Sequence, residues 1–133
     1  MKLQRLRGRK ICDRVIRTGR LWKGKVLMVR WLPGAPRHPS ATAAPAVYAG
    51  ALASAKLDKS AVKRNRMRRR CREALRTVLQ GFQTLPSVQL LIVPRSSSLQ
   101  CNFSDIRADI QSFLSSLRAW QPPRNDRTSS SSR

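Results

Sequence analysis

The chain has 133 residues, with 28 Lys and Arg against six Asp and Glu, for a formal net charge of +22. That length fits one domain with a modest core, and so one-sided a charge points to a polyanionic partner, nucleic acid ahead of a membrane surface. No apolar run approaches the roughly 18 residues of a membrane span. No apolar segment follows the basic N-terminus as in a secretory signal. Cys12, Cys71 and Cys101 lie too far apart for a CxxC zinc or redox motif and predict reduced, partly buried thiols.

Residues 1–8 read as a basic arm. Ile11, Cys12, Val15 and Ile16 then recur at helical spacing over 9–18, and Gly19 supplies a stop. Residues 25–32 are short and rich in β-formers, which predicts a strand. The span from Pro33 to Pro45 holds four of the eight prolines and the single histidine, His38, and reads as a Pro/Ala-rich flexible connection. A second strand follows at 46–54, weak because of its alanines. Asp58 or Ser60 can cap the next helix and Gly81 can end it. Residues 88–93 are almost wholly apolar, as expected of a strand buried on both faces.

Asn102 and Asp105 offer a capping box for a last helix, along which Phe103, Ile106, Ile110, Phe113, Leu114 and Leu117 repeat at helical spacing. Asp105 and Asp109 share a face of it and are expected to balance Arg107 or to meet water. Residues 121–133, ending in Arg-Thr-Ser-Ser-Ser-Ser-Arg, predict a disordered basic, Ser-rich tail. Residues 1–120 thus form a single domain in the order α-β-β-(β)-α-β-α. That order is an α/β (α+β) two-layer sandwich on a small mixed sheet.

The charge is clustered: residues 1–30 hold 11 basic groups and residues 56–76 hold ten, so 21 of the 28 lie in two blocks. Within the second block, positions 63–72 carry seven basic side chains around Asn65. On a helical wheel Met67, Cys71, Ala74, Leu75 and Val78 share one stripe, while Asn65, Arg68, Arg69, Arg72 and Arg76 fall on the opposite arc. A solvated charged face normally mixes signs, yet Glu73 is the only acid between residues 59 and 76. The helix is therefore expected to pack by one side and to offer guanidinium groups to phosphates by the other. Hydrolytic chemistry needs clustered carboxylates for metals or a His-based acid–base pair, and neither is present, so no catalytic or metal-binding residues are assigned. A DNA-reading helix is disfavoured because arginine crowds every turn. A structural RNA-binding protein of ribosomal type remains the alternative.

Arg64-Asn65-Arg66, preceded by Ser60-Ala61-Val62-Lys63 and followed by Met67-Arg68-Arg69 and Arg72-Glu73, resembles the signature of the bacterial ribonuclease P protein component. The segment 50–56, the N-terminal helix closed by Gly19, the Leu-Leu-Ile-Val strand and the last helix extend the likeness over about residues 3–118. The resemblance implies a ribosomal protein S5 domain 2-like sandwich with a left-handed crossover. It also implies a non-catalytic subunit of a tRNA 5′-maturation endoribonuclease in the cytoplasm. By that resemblance Lys56, Lys63, Arg64, Asn65, Arg66, Arg68, Arg69 and Arg72 would meet the ribonuclease P RNA. The 5′ leader of precursor tRNA would lie in a cleft between the sheet and the N-terminal helix, and Mg2+ would be required by the RNA and bound there. Where the family carries cleft aromatics this chain has Cys12 and Ile16, so leader contact is expected from Arg14, Arg30, Trp31 and Tyr48 as well. No membrane partner is implied.

Overall fold

The computed structural model describes residues 2–36, 45–82 and 85–120; His38, most of the proline-rich connection and the C-terminal tail lie outside these residues. Five strands and three long helices follow in the order β1 (Lys2–Arg5), α1 (Arg9–Thr18), β2 (Arg20–Lys23), β3 (Leu27–Pro33), β4 (Ala46–Ala51), α2 (Ala61–Leu79), β5 (Val88–Pro94) and α3 (Phe103–Ala119). A short 3-10 turn at Ser96–Leu99 links β5 to α3. The mixed sheet runs β1-β4-β5-β3-β2.

Two of these strands have no counterpart in the sequence reading. The expected basic arm contains β1, which pairs parallel to β4 with Leu3 opposite Val47. Its charged residues suit an edge strand, and Leu3 and Leu6 anchor it by packing on the two apolar clusters. Gly19 ends α1 in extended conformation (φ −72°, ψ 160°), so the chain passes directly from the helix into β2. β2 then pairs antiparallel with β3, Trp22 facing Val29 across the ladder. Neither strand is long enough to show alternation, and only pairing with a distant segment defines it.

β5 is central, antiparallel to β3 and parallel to β4. Its near-continuous apolar run reflects burial on both faces. Val88, Leu90 and Ile92 enter the main core with α2 and α3, while Leu91 joins Leu6, Val15, Ala46 and Tyr48 beneath α1. The expected strand at 46–54 ends at Ala51, and residues 52–60 turn toward α2. Ser60 caps that helix by accepting from the Lys63 amide, and Asp58 accepts from the Ser60 amide. The helix closes one residue earlier than expected, at Gln80. The Asn102–Asp105 capping box opens α3 as expected.

Asp109 departs from expectation most sharply. It is 6% exposed, and its carboxylate accepts the amides of Lys25 (3.2 Å), Val26 (2.7 Å) and Leu27 (2.9 Å) at the β2–β3 turn. A buried carboxylate is tolerated because these donors replace its water. The approach requires Gly24, where a Cβ would come within 2.5 Å of Asp109 Oδ2. Asp109 thus pins α3 to the hairpin. Asp109→Ala leaves three turn amides without their acceptor and is expected to destabilise the fold by about 3 kcal/mol, read as a lower denaturant midpoint.

Candidate nucleic-acid interface

α2 carries eight basic residues and one acid between Ala61 and Leu79. Met67, Cys71, Ala74, Leu75, Val78 and Leu79 are buried against the sheet and α3, as the wheel requires. Burial pushes the Cys71 thiol up to about 12 from its ordinary 9.0, with Arg70 opposing and Cys101 adding to the rise. Burial likewise raises Cys12 and Cys101, and all three cysteines are free.

The arginines divide into two groups that the sequence does not distinguish. Arg64 donates to the carbonyls of Asp58 (2.9 Å) and Lys59 (3.0 Å), which face back from the turn before the helix. Arg68 donates to Ala53 O (2.8 Å) and to Asn65 Oδ1 (2.6 Å), bracing the 52–60 segment against α2. Arg70 donates to Cys101 O (3.0 Å) and ties α2 to the start of α3. These three are half-buried. Lys63, Asn65, Arg66, Arg69 and Arg72 are exposed, as is Lys56 in the preceding turn. Among the described residues the one ion pair is Arg76 with Glu73 (3.2 Å), so these exposed cations meet no acid among those residues.

Arg68 and Arg72 also line a shallow groove of about 310 Å3 whose far wall is Arg5 of β1 and whose floor is Ala49–Ala51 of β4. A neighbouring hollow of about 210 Å3 is lined by Arg5, Arg72 and Arg76. Arg5 was not singled out in the sequence, because nothing local to residues 1–8 places it beside Arg68 and Arg72, more than sixty positions away. The basic surface therefore spans α2 and the β1 edge.

On the other face α1 lies over β3 and β5. A groove of about 510 Å3 separates the N-terminal half of α1 from the end of β3, lined by Lys10, Ile11, Arg14, Leu32 and Gln89 among others. Of the expected cleft residues, Arg14 lines this groove, Cys12 is half-buried in the cluster beneath α1, and Ile16 is 38% exposed. Arg30 alternates with Val29 and Trp31 and so shares the α1 face of β3 with Leu32, half-buried. Trp31 does not face this cleft: it is 7% exposed in the main core on the opposite face, against Phe113 and Trp120. Tyr48 sits beneath α1 but is 3% exposed, part of the floor rather than an accessible ring. Strand alternation decides the first case, since a one-residue step reverses the face, and the packing of α1 on the sheet decides the second. Lys10 and Gln89 take part instead, and only the packing of α1 on the sheet brings them together.

The Ribonuclease P family model matches residues 1–118. The chain belongs to the ribonuclease P protein family. It is 32% identical to the ribonuclease P protein component of a Cyanothece species over 86% of this chain and 92% of that one. It is 34% identical to the component of Thermus oshimai over 76% of this chain, but spans only 56% of that relative's length. Among solved structures, the RNase P protein of Thermotoga maritima shares the fold with a TM-score of 0.66 at 18% identity, covering 90% of this chain and 99% of that one. That of Staphylococcus aureus gives 0.63 at 14%, covering 88% and 97%. Among the described residues no helix is long and apolar enough to cross a membrane.

The division among the arginines has a direct check. Arg68→Ala is expected to lower stability by about 1–2 kcal/mol and to speed amide exchange in residues 52–60, whereas Arg69→Ala leaves thermal unfolding within about 0.5 kcal/mol. The Cys71 thiol stays protonated in the folded chain up to about pH 12 but ionises near 9.0 when exposed. Its contribution to stability is therefore complete below pH 9 and lost as pH rises from there toward 12. Cys71→Ala should reduce that alkaline slope, measured by urea unfolding against pH.

Proposed function

We propose that this chain is the protein subunit of a cytoplasmic ribonuclease P ribonucleoprotein. In this reading it binds the catalytic RNA and the 5′ leader of precursor tRNA, and so promotes endonucleolytic removal of the leader. The observation that carries the proposal is the exposed set Lys63, Arg66, Arg69 and Arg72, with Arg5 across the groove, which meet no acid among the described residues. Such a surface is stabilised by phosphates, whose condensed counterions are released on contact. Arg64, Arg68 and Asn65 hold that surface in shape.

The leader would occupy the groove between α1 and the end of β3, where Lys10 and Arg14 supply charge and Gln89 an amide. Ile11 and Leu32 provide apolar walls in place of stacking rings.

Mg2+ would belong to the RNA. Within this chain Asp58 caps a turn, Glu73 pairs with Arg76, Asp105 closes a capping box and Asp109 holds the β2–β3 turn. These carboxylates are committed to structural partners, and among the described residues no three His, Cys, Asp or Glu side chains could hold a metal ion. The protein's contribution is electrostatic: it reduces phosphate repulsion and positions the leader for a cut made by its partner.

Reconstitution with bacterial ribonuclease P RNA and precursor tRNA at low Mg2+ tests this. The chain is expected to stimulate 5′ cleavage and to cleave nothing alone; no stimulation at any protein concentration would sink the reading. Arg69→Ala with Arg72→Ala should flatten the salt dependence of RNA affinity by about one unit of slope per lost phosphate contact. An unchanged slope would mean that these side chains do not touch phosphate.

A further inference from the structure

The three tryptophans of this chain, which has only 5% aromatic residues, meet in one place, between the β2 edge of the sheet and α3. Trp31 of β3 packs edge-on against Trp120, the residue that closes α3 (5.2 Å between centroids, 89°), and against Phe113 (6.1 Å, 69°). Trp22 of β2 meets the same Phe113 ring at 5.6 Å. Trp31 is buried, but Trp22 and Trp120 are half-buried and reach the surface. Over this cluster lies the exposed Arg20, its guanidinium carbon 5.3 Å from the Trp120 centroid and 5.9 Å from that of Trp31.

Cation–π contact holds the guanidinium against the rings but uses none of its N–H groups. Among the described residues Arg20 has no ion pair or side-chain hydrogen bond. Its N–H donors thus have no partner among the described residues. A planar cation so restrained loses little entropy when it stacks on a second plane or binds a phosphate.

We propose that Arg20, on its Trp31–Trp120 platform, is a second RNA contact that stacks an unpaired nucleobase on its outer face. The neighbouring phosphate is taken by its N–H groups. This inference rests on reading the chain as RNA-binding, and it extends that reading to the opposite edge of the sheet. β2 and β1 are the two edges of the sheet, separated by four strand spacings, or about 19 Å. The site is also on the α3 side of the sheet, apart from the groove beneath α1. An RNA held at α2 and here would be gripped at two separated points. Single strands suit such a platform, because a base inside a duplex has both faces covered.

Because every tryptophan lies in this cluster, intrinsic tryptophan emission of the unmodified chain reports on it and not on α2. The chain would be titrated with a short mixed-sequence RNA that cannot self-pair and with a hairpin duplex of the same composition, affinity being followed by anisotropy of the labelled RNA. The single strand is expected to quench emission. Arg20→Ala should bind it about tenfold more weakly with duplex affinity unchanged, and Arg20→Lys should recover only a minor part of the loss. Unchanged emission at saturation, or an equal loss on both RNAs, would overturn the stacking site. Full binding by Arg20→Ala beside loss in Arg69→Ala/Arg72→Ala would overturn this inference and leave the RNA-binding reading intact. Failure of the unmodified chain to bind either RNA would remove both. Thermal unfolding checks each variant; should Arg20→Ala not fold, Arg20→Lys and the emission of the unmodified chain decide.

Discussion

The apolar stripe of α2 holds a helix with seven excess positive charges onto the sheet, and the whole interface depends on that attachment. Each like-charged pair at i,i+4 along the helix costs about 0.2–0.5 kcal/mol. Each buried Leu, Met or Val side chain on its other face returns about 1.5–3 kcal/mol. Met67, Leu75, Val78 and Leu79 therefore outweigh the repulsion of their neighbours, and α2 can carry a charge density that no isolated helix would sustain. Lys63 and Arg64 even stand in the first turn, where the helix dipole opposes them. The arrangement sacrifices local stability for a surface that suits phosphate.

A second layer of restraint converts that helix from a charged rod into a shaped surface. Arg64, Arg68 and Arg70 turn to backbone carbonyls before and beyond α2, so part of the basic run is spent on bracing. What remains outward is set at defined positions relative to Arg5 on the β1 edge. The Asp109 carboxylate does the corresponding work at the opposite edge of the sheet, fixing α3 to the β2–β3 turn. Through that turn it also fixes the hairpin that carries Arg20, Trp22 and Trp31. Acids are scarce in this chain, and Asp58, Asp105 and Asp109 all serve the fold.

Much of the architecture was legible beforehand because it is encoded locally. Helical spacing located α1, α2 and α3, the Asn102–Asp105 box marked the start of α3, and the unbroken apolar run of β5 announced its central place. The edge strands β1 and β2 were not legible. Four residues each, they carry no usable periodicity and exist through pairing with segments far along the chain. For the same reason Trp31 and Tyr48 read as accessible rings, although alternation puts one in the main core and the packing of α1 covers the other.

The sequence by itself determined that this chain carries a dense, unneutralised arginine helix with an apolar back, and that no cluster of acids accompanies it. Charge and helical period are properties of neighbours in the chain, so one dimension suffices to read them. Only the tertiary structure decided which arginines face outward, that Arg5 joins them, that Asp109 is buried, and that three distant tryptophans form a seat for Arg20. Each of these is a contact between residues far apart in sequence, fixed by the packing of helices on the sheet and invisible to any local pattern.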